Sequence, residues 1–175
     1  PGLQDLPFVA NVGTVLPHLP DPRVVLANFR SLPRIGETDH ADAWFQAAGL
    51  RTIRPPHYFE GEADLKFIRN NLYCGGFGLR SSTDAHEWFE KEFTMRVIPI
   101  DCSDPNLYHL DCMLLPLDEE TVLLCTEACS PAVIRALEQE VEIIPVDREL
   151  AYRGVTNGVN CGRFLLCESH VESLA

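Results

Sequence analysis

The chain has 175 residues, 46% of them hydrophobic and 23% charged, with a formal net charge of −12 at pH 7. That length supports one domain with a buried core, and the composition is that of an ordered globular protein, not a disordered one. The acidic balance argues against a nucleic-acid partner, which needs clustered Lys and Arg, and no apolar run approaches the length of a membrane-spanning helix.

In chain order, Phe8 to Leu16 is β-rich, Pro17 to Pro22 is a proline-studded turn, and Arg23 to Phe29 reads as a second strand. A helix follows from His40 to about Ala48, with Thr38 or Asp39 as N-cap and an apolar face at Ala41, Trp44, Phe45 and Ala48. Gly49 closes it, and Leu50 to Arg54 is a third strand. The order then repeats. Leu65–Ile68 and Leu72–Phe77 are strands, Ser82-Thr83-Asp84 caps a helix through Phe93, and Met95–Ile100 is a strand. It repeats again with Asp111–Leu117, Thr121–Cys125, a helix from Ser130-Pro131 through Glu140, and Val141–Val146. A fourth pass opens with Thr156–Cys161 and Arg163–Cys167. Helix starts near residues 39, 83 and 130 recur at about 45 residues, so the pattern is a strand–strand–helix–strand repeat carried by the elements and not by sequence identity. An open repeat needs capping ends, and neither terminus reads as a cap. The expectation is a single partial domain, 1–175, unfinished at both ends.

Seven cysteines, at 74, 102, 112, 125, 129, 161 and 167, are odd in number and lack zinc-like spacing. With no visible leader, this leads us to expect a reducing cytoplasm and free thiols, most of them small buried hydrophobes. The chain begins at Pro1 and not Met, which fits removal of an upstream segment.

Three stretches carry candidate chemistry. Phe59-Glu60-Gly61-Glu62-Ala63-Asp64 places three carboxylates at a loop entering a strand; a solvated acidic turn is the bland alternative. Arg80 follows a Gly-rich strand and precedes a helix, where it can hold a carboxylate bidentately or simply be a surface arginine. Tyr108-His109-Leu110-Asp111 puts a histidine ahead of a strand, in the position of its unit that the Glu60 loop occupies in the preceding one. In a ring of repeats such strand ends converge, so Glu60 and His109 are expected to meet as a base and its orienting carboxylate.

Four ordered landmarks resemble the guanidine-modifying superfamily of the five-bladed pentein fold: arginine deiminases, dimethylarginine dimethylaminohydrolases, amidinotransferases and arginine dihydrolases. Phe8-Val9-Ala10-Asn11-Val12-Gly13 is similar to its F-x-A-N-x-G strand, and Phe29-Arg30 with Arg34-x-Gly36-Glu37 to its F-R-x-x-x-R-x-G-E segment. The Phe59–Asp64 turn resembles F-E-G-x-G-D, and Tyr108–Asp111 resembles Y-H-L-D. Ala63 departs from the pattern, which has a second glycine there. The resemblance implies an α/β propeller of ββαβ units, with about three and a half of five units present. It implies His109 as general acid/base, Glu60 pairing with it or with the guanidinium, Asn11 near the guanidinium, Arg80 toward the substrate α-carboxylate, and Asp64 and Asp111 as supporting carboxylates. It also implies thiolate attack on the guanidinium carbon, with no metal and no organic cofactor.

That chemistry needs a cysteine. Cys161, in Gly158-Val159-Asn160-Cys161-Gly162, is a candidate nucleophile, but the resemblance implies a nucleophile about one repeat unit further on from His109 than this. The expected nucleophile therefore lies beyond Ala175. The reading is a hydrolase acting on the guanidinium C–N bond of arginine or a modified arginine; the alternative is a catalytically inactive relative that binds a ligand or regulates. The expected partner is a small cationic guanidino substrate, with no nucleic acid and no membrane, and with homo-oligomerisation left open.

Overall fold

The computed structural model describes residues 3, 5, 7–161 and 164–167. It contains three successive units of the same order. The first is β1 (Gly13–Val15), β2 (Arg23–Leu26), α1 (Glu37–Ala47) and β3 (Arg51–Ile53); the second is β4 (Leu65–Arg69), β5 (Leu72–Gly78), α2 (Thr83–Phe93) and β6 (Arg96–Cys102). The third is β7 (Leu114–Pro116), β8 (Thr121–Cys125), α3 (Pro131–Glu138) and β9 (Glu142–Val146). A short helix α4 (Arg148–Tyr152) then leads to an antiparallel hairpin of β10 (Val159–Cys161) and β11 (Phe164–Leu166).

Each unit forms its own three-stranded sheet with the second strand in the middle. The first pair is antiparallel and the helix crosses over to a third strand parallel to the second, as a parallel connection requires. The central strand β5 is buried along Leu72–Gly76, which accounts for its unbroken apolar and glycine run. The core is shared between units. Leu16 and Val25 of the first unit pack with Phe59, Leu65, Tyr73 and Phe89, while Cys74, Ile98 and Ile100 of the second pack with Leu114, Leu123 and Leu137 of the third. His18 adds a polar tie, bonded to Tyr73 Oη at 2.8 Å and to the Phe93 carbonyl at 3.0 Å.

Four expectations are corrected locally. Helix α1 starts at Glu37 after Gly36, because the Thr38 hydroxyl donates to the Ala27 carbonyl (3.0 Å) and is not free to cap. The Phe8–Leu16 stretch is a strand only over Gly13–Val15, since Val9–Asn11 forms a 3-10 turn. Likewise β7 starts at Leu114 and not at Asp111, because Leu110–Cys112 is a 3-10 turn. Helix α4 is additional; its one turn is too short for periodicity to reveal, although Asp147 caps it by accepting from Leu150 N. Gly49 behaves as expected: at φ +81° it ends α1 while Gly49 N bonds Gln46 O and Leu50 N bonds Phe45 O, a Schellman closure. Gly162 and Arg163, part of the fourth-pass reading, lie outside the described residues.

Candidate active site

A 3-10 turn leads into the first strand of each unit: Val9–Asn11 before β1, Gly61–Asp64 before β4, and Leu110–Cys112 before β7. These equivalent turns are brought together, and they carry Asn11, Glu60 with Asp64, and His109. The contact between the first two is close enough to demand glycine. Gly61 has φ +69°, and a Cβ there would lie 2.5 Å from the Ala10 carbonyl oxygen and 2.6 Å from the Asn11 carbonyl carbon. Gly76 on β5 makes similar room, since a Cβ there would meet Leu110 Cβ at 2.9 Å and Asp64 Oδ1 at 3.1 Å.

His109 is buried, with Nδ1 at 3.0 Å from Asp64 Oδ1 and Nε2 at 3.1 Å from Asn11 Nδ2 and 3.5 Å from Glu60 Oε2. Asp64, and not Glu60 as expected from the repeat, is therefore the carboxylate that orients the ring, while Glu60 faces the opposite nitrogen. Asp64 Oδ1 also accepts from Leu110 N (3.1 Å), and its Oδ2 accepts from Ser81 Oγ (2.5 Å). Ser81 accepts in turn from Glu60 N at 2.9 Å. Sequence reasoning missed Ser81; its signal was its place beside Arg80 in the loop before α2.

Arg80 reaches Glu60 Oε2 at 3.4 Å and stacks over the Tyr108 ring at 5.0 Å. Its loop is fastened to the Glu60 turn by Ser82 N donating to the Tyr58 carbonyl (3.0 Å). Arg34, read only as a motif residue, makes a buried bidentate pair with Glu37 and packs over Phe29, and it also bonds the Phe8 carbonyl, fixing the turn that carries Asn11. A cavity of about 530 Å³ opens onto Asn11, Arg34, Arg80, Tyr108, His109 and Asp111.

The electrostatics follow from burial. Burial opposes charge on His109, but the Asp64 hydrogen bond and the charges of Asp64, Asp111 and Glu60 outweigh it and raise the imidazole above its ordinary value. Burial raises the Glu60 carboxyl, offset in part by His109 and Arg80, and it likewise raises Asp111. Glu60 is fully buried, and its Oε1 has no hydrogen-bond partner among the described residues. A buried carboxylate with one unoccupied oxygen is suited to a cation that brings its own N–H donors.

Cys161 is exposed on β10 and does not line the cavity. Cys112 does line it, but burial beside Asp111 pushes its thiol up to about 12. No group of three His, Cys, Asp or Glu side chains suited to a metal is found among the described residues. No helix among them is long and apolar enough to cross a membrane.

No protein-family profile matches the chain. It is 31% identical over 144 residues to an N(G),N(G)-dimethylarginine dimethylaminohydrolase of Mycobacterium tuberculosis, covering 82% of this chain and 45% of that protein. It is 32% identical over 143 residues to the bifunctional arginine dihydrolase/ornithine cyclodeaminase AgrE of Nostoc, covering 80% of this chain and 20% of that one. The chain thus spans less than half the length of these two curated relatives. Its fold superposes on the substrate-bound N-terminal domain of ArgZ, a cyanobacterial arginine dihydrolase. The TM-score is 0.85 and the identity 30%, over 94% of this chain and 61% of that one. By sequence and by fold, the chain belongs to the guanidine-modifying superfamily that includes the dimethylarginine dimethylaminohydrolases and the arginine dihydrolases.

Proposed function

We propose that the chain carries the acid–base and guanidinium-binding part of a hydrolase acting on arginine or a modified arginine, with the nucleophilic cysteine supplied from beyond Ala175. The carrying observation is Glu60, a fully buried carboxylate with an unpartnered Oε1, set against the two cavity-lining groups Arg80 and His109. A guanidinium satisfies such an oxygen with paired N–H donors and lowers the energetic cost of its charge. In this reading Asn11 and Glu60 hold the guanidinium, Arg80 receives the substrate carboxylate, and Asp64 and Asp111 support the charge on His109. On the same reading residues 1–175 are a single partial domain, whose three ββαβ units and β10–β11 hairpin make up about three and a half units of a five-unit propeller.

The chemistry runs in two halves. A thiolate attacks the guanidinium carbon, His109 gives its Nε2 proton to the departing nitrogen, and the C–N bond breaks to leave an amidino group on sulfur. Water then adds to that carbon as His109 takes one of its protons, and the C–S bond breaks to release the thiolate and the neutral ureido product, the remaining hydroxyl proton passing through solvent to the freed amine, which leaves as the ammonium. A raised imidazole value keeps His109 protonated closer to neutral pH, as the first half requires. No cofactor enters this scheme.

The test is intact-mass spectrometry after incubation with chloroacetamidine, a guanidinium mimic that alkylates activated thiols, followed by peptide mapping. The expected result is no His109-dependent adduct on this chain, and on a form extended past Ala175 a single adduct that is lost in His109→Ala. An adduct on Cys161 that depends on His109 would overturn the placement of the nucleophile. A second reading, a binding-only relative, is favoured by Cys112, the described thiol that lines this cavity, which burial pushes up to about 12. It predicts arginine binding with no adduct in either form.

A further inference from the structure

Ser81 lies between the two carboxylates of the site and bonds to both of their residues. Its backbone is fixed by a tight turn, with Gly78 N donating to the Ser81 carbonyl at 2.9 Å, and its side chain is buried. The hydroxyl has one proton and two acceptor positions. Glu60 N occupies one acceptor position at 2.9 Å, so the single proton points at Asp64 Oδ2, 2.5 Å away. Asp64 then accepts from Ser81 on one oxygen and from Leu110 N on the other, which suits the ionised carboxylate and leaves it no proton to give. The His109 nitrogen facing Asp64 must therefore carry the proton itself.

Resting on the functional reading above, we propose that Ser81 is a positioning residue for His109: its hydroxyl fixes Asp64 in the orientation that holds a proton on Nδ1, leaving Nε2 as the nitrogen that faces Asn11, Glu60 and the cavity. The arrangement passes from the Glu60 backbone through Ser81 and Asp64 to the imidazole, so the guanidinium-facing carboxylate and the base share one hydrogen-bonded chain. The charged groups facing His109 are Asp64 and Glu60 from the turn before β4, Arg80 from the loop before α2, and Asp111 from the turn before β7. Lys66 acts on Asp111, and Arg34 acts on Glu60. Of the neighbours of Asp64, the Ser81 hydroxyl is the side-chain donor other than His109 itself.

The test reads the tautomer directly, by ring-nitrogen NMR of neutral His109 in the 175-residue chain without substrate. In the native chain the Nδ1–H form and a slowly exchanging Nδ1–H proton are expected. In Ser81→Ala that proton signal is lost to exchange and the Nε2–H form becomes the major one; Ser81→Thr, which keeps the hydroxyl, restores the native pattern. A folded Ser81→Ala protein that keeps the Nδ1–H form would overturn the proposal. If the alanine variant fails to fold, Ser81→Cys keeps the volume with a weak donor and is expected to lose the same signal; its retention there overturns the proposal too. Failure of both to fold would make Ser81 a structural strut and refute a positioning role. Because no substrate is present, this outcome is independent of whether arginine binds.

Discussion

Replacing Gly61 by alanine tests the central contact of the fold. The residue sits at φ +69°, where an L side chain costs about 1–2 kcal/mol. The added Cβ would also press on main-chain atoms, at 2.5 Å from Ala10 O and 2.7 Å from Asn11 O. Those atoms cannot yield easily: Asn11 N and Val12 N are bonded back to Phe8 O and Val9 O, and Arg34 ties Phe8 to the buried Glu37. Overpacking of this kind costs about 1–3 kcal/mol, so the whole effect is about 2–5 kcal/mol. In urea, with a slope of about 2 kcal/mol/M, the unfolding midpoint should fall by about 1–2.5 M. The same displacement moves Asn11 away from His109 Nε2, now 3.1 Å distant, so arginine affinity should drop in whatever fraction remains folded. A midpoint unchanged within about 0.3 M would refute the claim that these two turns meet at main-chain contact.

Three other outcomes follow from the site. His109 is raised above the ordinary histidine value despite burial, chiefly through Asp64; such a group adds stability that is full below the unfolded value of about 6.5 and is lost as pH rises through the folded one. Asp64→Asn should therefore cost more at pH 5.5 than at pH 8.5, the excess being bounded by about 5.5 kcal/mol for a pair 3.0 Å apart at an effective dielectric near 20, and equal losses at both pH values would remove the ion pair from the account. Glu60→Gln should weaken arginine binding about 10–100-fold by calorimetry at pH 7, and an unchanged affinity would place the guanidinium elsewhere. Toward a thiol reagent at pH 7.5, exposed Cys161 should react first. Cys74, Cys112 and Cys129, pushed up to about 12 by burial, should react only on unfolding, so fast labelling of Cys112 would contradict the burial described.

The alternation of strand and helix patterns, with Ser130-Pro131 opening a helix and Gly49 closing one, was legible because caps, turns and periodicity are local properties of the chain. The ββαβ order followed from them, as did Glu60 and His109 as residues at equivalent positions of successive units and Arg80 as a residue of the loop before a helix, whereas Asn11 came only from the resemblance of Phe8–Gly13 to a family strand. The limits of local reasoning show at Thr38, which has the sequence of an N-cap and is drawn away by the Ala27 carbonyl eleven residues back. They show again at Ser81, unremarkable between Arg80 and Ser82 until the fold sets its hydroxyl between Glu60 N and Asp64. The pattern of residue types by itself determined which groups are present and that they recur at the starts of successive units. Only the tertiary structure decided which carboxylate holds His109 and which has an oxygen without a partner among the described residues, because hydrogen-bond geometry is settled over a few tenths of an ångström by packing between units, and sequence spacing carries no such resolution.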